Sequence, residues 1–144
     1  MTGVRNHEEL AAWRLSWELK EGVFAFTAID RVRRDFKFCT QIRSASNSAT
    51  DTIAEGFYRY WSKDFARFLT MARSSLGEVK NQLRHARERE YLDEPEFNDL
   101  WTLACRAMAA TTNLQKYLRN CRPHQVRTKK RKCQKPRNPR TVEP

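Results

Sequence analysis

The residues from which a metal or redox site would be built are three histidines and four cysteines, and their spacing argues against one. Di-iron sites in helical bundles need Glu-x-x-His on two helices. His7, His85 and His124 instead have Val4, Gln82 and Cys121 three positions earlier. Cys39, Cys105, Cys121 and Cys133 show no C-x-x-C spacing, and in a reduced compartment such thiols act as small hydrophobes. Cys121, His124 and Cys133 supply three soft ligands without a fourth. There is no Gly-rich phosphate loop, no G-x-S-x-G and no H-E-x-x-H. Glu55 and Glu78 can face each other from neighbouring helices, but pairing with Arg59, Lys80 or a helix cap is a simpler use for them than acid-base catalysis. The expectation is a non-enzyme with no catalytic residue, no metal and no cofactor.

Phosphate-binding chemistry is better represented. Lys129, Lys130, Arg131 and Lys132 form a run, with Arg127, Lys135, Arg137 and Arg140 around it. The formal charge of +11 is unevenly held: residues 1–121 carry 19 basic and 16 acidic side chains, a net of +3, whereas residues 122–144 carry 9 and 1, a net of +8. Such a segment neutralises phosphates and releases counterions with little sequence choice. Its alternative use is as a solubilising tail or a degradation-prone end. Two further patches lie upstream: Arg31, Arg33, Arg34 and Lys37, and the mixed stretch Arg59, Tyr60, Trp61, Lys63 and Arg67. Rings beside cations either stack unpaired bases or pack against the end of a core, and both uses remain open.

These residues need elements to position them. At 144 residues and 40% hydrophobic, the chain suits one domain with a real core. Before residue 122 the only breakers are Gly3, Gly22, Gly56, Gly77 and Pro95, which points to long helices. A first helix is expected near 7–29, started by Asn6 with Glu9 at capping-box spacing, with Leu10, Trp13, Trp17 and Phe24 as its apolar positions. Residues 30–35 read as a connector. A second helix near 36–60, capped by Asp35, turns Phe38, Ile42, Ala45, Ala49, Ile53 and Phe57 inward; its Ser- and Thr-rich middle depends on packing rather than propensity. A third starts at an N-cap Ser62 and carries Phe65, Leu69, Ala72, Leu76, Val79, Leu83 and Ala86 at alternating spacings of four and three, a bundle seam. A fourth follows the capping box of Asp93 and Glu96, with Pro95 in its first turn, and carries Phe97, Leu100, Ala104, Ala107, Thr111, Leu114, Leu118 and Cys121.

The fold class is therefore all-α: an antiparallel up-down-up-down four-helix bundle over residues 1–121, followed by a disordered basic C-terminal tail over 122–144. Second apolar rows, Leu15, Leu19, Val23 and Phe26 on the first helix and Trp101, Cys105, Met108 and Tyr117 on the fourth, are either wide stripes or a self-association surface. No apolar run of about 18 residues exists and the N-terminus lacks the apolar region of a signal peptide, so no membrane association and a cytoplasmic address are expected.

One block of residues is more specific than this pattern. It reads Gln41-Ile42-Arg43, then Ile53-Ala54-Glu55-Gly56-Phe57-x-Arg59, then Ser62-Lys63-Asp64-Phe65-x-Arg67-Phe68-Leu69-x-x-Ala72-x-x-Ser75-Leu76-x-Glu78 and Gln82-Leu83. With Leu10-x-x-Trp13 and Tyr91-Leu92, this string resembles the bacterial four-helix bundle proteins encoded in 23S ribosomal RNA intervening sequences, over roughly residues 6–121. The resemblance implies a ring-shaped homo-oligomer, a pentamer, without catalysis. More distantly the chain resembles the accessory variability determinant of diversity-generating retroelements, a basic pentameric bundle that binds nucleic acid and a reverse transcriptase. Two departures stand out. The family's S-I-P-S-N-I-A-E-G is replaced by Ser48-Ala49-Thr50-Asp51-Thr52-Ile53-Ala54-Glu55-Gly56, and most relatives lack the basic tail.

The expected function is thus a homo-oligomeric bundle that binds RNA or DNA through Arg127, Lys129, Lys130, Arg131, Lys132, Lys135, Arg137 and Arg140, with Arg31, Arg33, Arg34, Arg59 and Lys63 of the body. The alternative is an accessory protein-interaction subunit of a reverse transcriptase in a diversity-generating retroelement.

Overall fold

A computed structural model describes residues 3–121. A single 3₁₀ turn at His7–Glu9 leads into α1 (Ala11–Thr27), the one-turn α2 (Asp30–Arg33), α3 (Phe36–Phe57), α4 (Ser62–Glu88) and α5 (Glu94–Asn120). The short connectors reverse direction between the four long helices. α1 packs on α3 and α5, and α4 packs on the same two, closing an up-down-up-down square. Among the described residues there is no strand, and no helix there is long and apolar enough to cross a membrane.

The 4-3 seam expected on α4 is buried throughout, from Phe65 to Ala86. On α5 Phe97, Ala104, Ala107, Thr111 and Leu118 are buried, while Leu100, Leu114 and Cys121 are half-buried at the rim. The core divides into two apolar clusters. One, around Leu19, Val23, Phe38, Ile42, Leu76 and Leu83, fills the half nearest α2. The other, Leu10, Ala12, Ile53, Phe65, Leu69 and Leu118 among them, fills the opposite end. Between them lie the buried hydroxyls of Ser16, Thr50 and Thr111. Each donates to a carbonyl of its own helix, on Ala12, Asn47 and Ala107 respectively, so the polar layer carries no unsatisfied hydroxyl. Buried Gln115 ties α5 to α4 by donating from Nε2 to the Ala66 carbonyl at 3.0 Å and to Thr70 Oγ1.

The inward face of α1 differs from the expected one. Leu10 is buried, but Trp13 and Phe24 are half-buried and Trp17 is exposed. The inward positions are Ala12, Ser16, Leu19, Val23 and Phe26. Leu10 lies outside the helix as its N-cap, in extended backbone, so a helical phase counted from it is displaced. The buried row keeps the 4-3-4-3 spacing of the other helices and brings small and aliphatic side chains to a crowded axis, with Phe26 at its α2 end.

The ends differ as well. Asn6 makes no side-chain cap, and Glu9 Oε2 accepts from the Arg5 backbone N–H at 3.0 Å instead. The 3₁₀ turn consumes those residues before α1 begins at Ala11. Ser62 is not an N-cap: it is the first helical residue and is buried, the cap position being Trp61. α3 ends at Phe57, because Tyr58 and Arg59 donate back to Glu55 and Gly56 and turn the chain there. Two expected caps form. Asp35 accepts from the Phe38 N–H, and Asp93 with Glu96 makes a reciprocal capping box. α3 runs unbroken through its Ser- and Thr-rich middle, where Ala45, Ser46, Ala49 and Thr50 are all buried.

Candidate nucleic-acid interface

The body cations named from the sequence fall at opposite ends of the bundle. α3 has 22 residues, so at about 1.5 Å per residue the ends are ~33 Å apart. At the α2 end, Arg33 pairs with Asp30 at 2.8 Å, and Arg31 donates to the Glu90 carbonyl. Arg34 is exposed and has no ion-pair partner among the described residues. Arg89, which the sequence did not single out, meets Asp35 at 3.0 Å. Asp35 also accepts from the Tyr91 hydroxyl at 2.7 Å, the largest of the causes that hold its carboxyl below the ordinary range. The same bond pushes the Tyr91 hydroxyl up. Burial raises the nearby Cys39 thiol, which contacts the Val32 carbonyl. Much of this end is therefore a structural knot tying α2 and α3 to the connector after α4.

The other end gathers the 3₁₀ turn, the Tyr58–Trp61 turn and the last described residue, Cys121. His7 Nδ1 lies 3.2 Å from the Tyr58 hydroxyl, and Leu10, Phe65 and Leu118 share one core cluster there. Arg59 pairs with Glu55 at 2.6 Å and lies 4.6 Å over the Phe68 ring, which Arg67 also approaches at 5.5 Å. Lys63 is exposed on the first turn of α4. Arg127, Lys129, Lys130, Arg131, Lys132, Lys135, Arg137 and Arg140, together with the tail to which they were assigned, lie outside the described residues.

An aromatic ladder on the outer face of α1 was not foreseen. Lys20 sits 4.0 Å over Trp17, which stacks on Trp13 at 4.9 Å; Trp13 meets His7 at 5.1 Å, and His7 meets Tyr58 at 5.6 Å. The Trp17 indole N–H donates to Glu21 at 3.0 Å. A lysine one turn from Trp17 and the uncharged apolar residues Leu19, Val23 and Phe26 are the sequence signals that separate the outer row from the inner one. On α5, Lys80 and Arg84 cover Trp101, and Arg87 covers Phe97. Of that second row, Trp101 is thus roofed by cations of α4, while Tyr117 stays exposed.

The motif block turns out to be the zip between α3 and α4. Gln82 donates to Gln41 at 3.5 Å and Ser48 meets Ser75 at 2.9 Å. Gly56 faces Phe65 and Phe68 so closely that a Cβ there would lie 2.7 Å from the Phe68 Cβ. Arg43 donates to Thr27 Oγ1 at 2.8 Å and lies 5.0 Å over Phe24, joining α3 to α1. Because α3 runs antiparallel to α4, Glu55 lies by the start of α4 and Glu78 about 24 Å along it, so the two carboxylates do not face each other. Among the described residues no group of three His, Cys, Asp or Glu side chains is placed to hold a metal ion. An open groove of about 600 Å³ runs over α3, floored by the short side chains of Ser44, Asn47 and Ser48 and rimmed by Phe24 and Arg43.

Residues 8–113 match the family described as 23S rRNA-intervening sequence protein, well over half of the chain. No curated protein matches the sequence.

Proposed function

The chain belongs to the 23S rRNA-intervening sequence protein family, and on that premise we propose that it is a non-catalytic, cytoplasmic, homo-oligomeric bundle, a pentameric ring, that binds RNA or DNA. The observation that carries the nucleic-acid reading is the charge partition: a net of +8 in residues 122–144 against +3 in the rest. The aromatic outer row of α1 and the groove over α3 support self-association, because short side chains let a second helix approach closely. Several basic segments on one assembly raise effective concentration without a new type of contact.

A gel-shift and salt series on the full-length protein and on residues 1–121 tests this. With about six phosphates neutralised, log affinity falls with log salt at a slope of roughly −5. Truncation should flatten that slope and weaken binding; an unchanged slope refutes the role of the segment. Light scattering tests the ring, which a monomeric mass refutes. A second reading, an accessory subunit of a reverse transcriptase, draws on Met71 and Tyr117, large side chains exposed on α4 and α5. Co-purification of a polymerase at high salt favours it, since phosphate contacts weaken there.

A further inference from the structure

The turn between α3 and α4 presents three aromatic side chains that the bundle does not bury. Tyr58, Tyr60 and Trp61 remain 58%, 47% and 52% exposed. Plugging the end of the core, the other use of rings at such a turn, falls to Phe57 and Phe65, which meet edge to face at 6.1 Å. The ladder on α1 is a poorer surface for a flat ligand, because Lys20 and Trp13 already lie against Trp17, whereas at the turn Tyr60 meets Trp61 edge to face at 4.8 Å and Tyr58 meets Phe57 and His7 edge to face, contacts that leave about half of each ring exposed. The turn also carries cations: Arg59 within it, and Lys63 and Arg67 on the adjoining turns of α4. Cys121 ends the described chain at this same end of the bundle, where Leu118 shares a cluster with Phe65, and the residues that follow it in sequence carry a net of +8.

The exposed cations of Lys63 and Arg67 draw a phosphodiester strand toward the rings. What it can offer them depends on pairing. Bases inside a duplex have both faces stacked, whereas unpaired bases present a face that any aromatic ring accepts, without sequence preference.

We propose that Tyr58, Tyr60 and Trp61 form a stacking platform for unpaired bases, so that the preferred ligand is single-stranded or looped nucleic acid rather than continuous duplex. This rests on the nucleic-acid reading above and adds the ligand's pairing state.

The test compares full-length wild type, Tyr58→Ala, Trp61→Ala and Trp61→Tyr for binding to a labelled oligouridylate and to a labelled duplex of equal length. Far-UV circular dichroism reports the fold; Trp61 caps α4 through its backbone, so the side-chain change leaves that cap in place. Wild type should prefer the single strand. Trp61→Ala should weaken single-strand binding about tenfold and leave duplex binding within about twofold, and Trp61→Tyr should restore most of the loss. Equal loss on both ligands, or no loss on either, overturns the platform while leaving general phosphate binding standing. A change of oligomeric mass in Trp61→Ala with single-strand affinity intact also overturns it, assigning the turn to a protein interface. Wild type that binds neither ligand removes both the platform and the nucleic-acid reading.

Discussion

Gly56 and Gly77 are both helical glycines in the α3–α4 pair, yet the same substitution should act on them with opposite sign. At Gly56 an added Cβ would lie 2.7 Å from the Phe68 Cβ and 2.8 Å from Phe65 Cδ2. Carbon atoms prefer about 3.5–4.0 Å, so the helices must part by ~1 Å locally. Phe68 cannot rotate its own Cβ away, because the α4 backbone holds it, and both rings are buried. Overpacking of this kind costs about 1–3 kcal/mol. Alanine returns up to ~1 kcal/mol through helix propensity and a less flexible unfolded chain. The expected net for Gly56→Ala is a loss of about 1–2 kcal/mol, or ~4–8 °C in Tm for a domain of this size. At Gly77 the added Cβ meets only the Met108 Cε, at an ordinary 3.8 Å. Gly77→Ala should therefore gain about 0.5–1 kcal/mol and raise Tm by ~2–4 °C. Thermal melts followed by far-UV circular dichroism at one fixed protein concentration measure both, since assembly makes Tm depend on concentration. A more stable Gly56→Ala, or a less stable Gly77→Ala, refutes the close approach as the reason for glycine at 56.

The remaining expectations concern the α2 end and the phase of α1. Asp35 is held below its ordinary value of 3.8 by Tyr91, the Phe38 N–H and Arg89. Its stabilising effect is fully present above the unfolded pKa and declines as pH falls through the lower folded one. Asp35→Ala should cost about 1–2 kcal/mol near neutrality by urea denaturation, with the gap to wild type narrowing below pH ~4; a gap independent of pH would contradict this. Leu19→Ala should cost about 2–5 kcal/mol because Leu19 is fully buried. Trp17→Ala, on the outer face, should leave the unfolding midpoint within about 1 kcal/mol of wild type, and the reverse ranking would restore the expected inward row.

The seam of α4 was legible because seven apolar residues from Phe65 to Ala86 repeat without interruption, and burial followed that repeat residue by residue. The capping box at Asp93 and the cap at Asp35 were legible because each uses atoms within one turn of chain. The same local rule failed at Asn6 and Ser62. Those positions have suitable side chains, but the path of the chain into the helix, set by a 3₁₀ turn and by a four-residue reversal, decided that neither would cap. On α1 two rows offer apolar residues, and a phase counted from Leu10 selects the one with the tryptophans; Leu10 stands outside the helix, and the limited volume at the axis of a four-helix square turns the tryptophans outward. The candidate cations were readable as residues but not as a site, since spacing along the chain does not reveal that Arg31 and Lys63 stand at opposite ends of the bundle.

By itself, the sequence determined what is set by composition and periodicity. It specified the four long helices, their approximate limits, and the concentration of charge in residues 122–144. These depend on contacts within a turn or on sums over residues, and neither needs a three-dimensional partner. Tertiary structure decided which row of α1 faces in, why position 56 is glycine, and which aromatics remain for a ligand. Each of those turns on the space left between two helices, a quantity that exists only once both are packed.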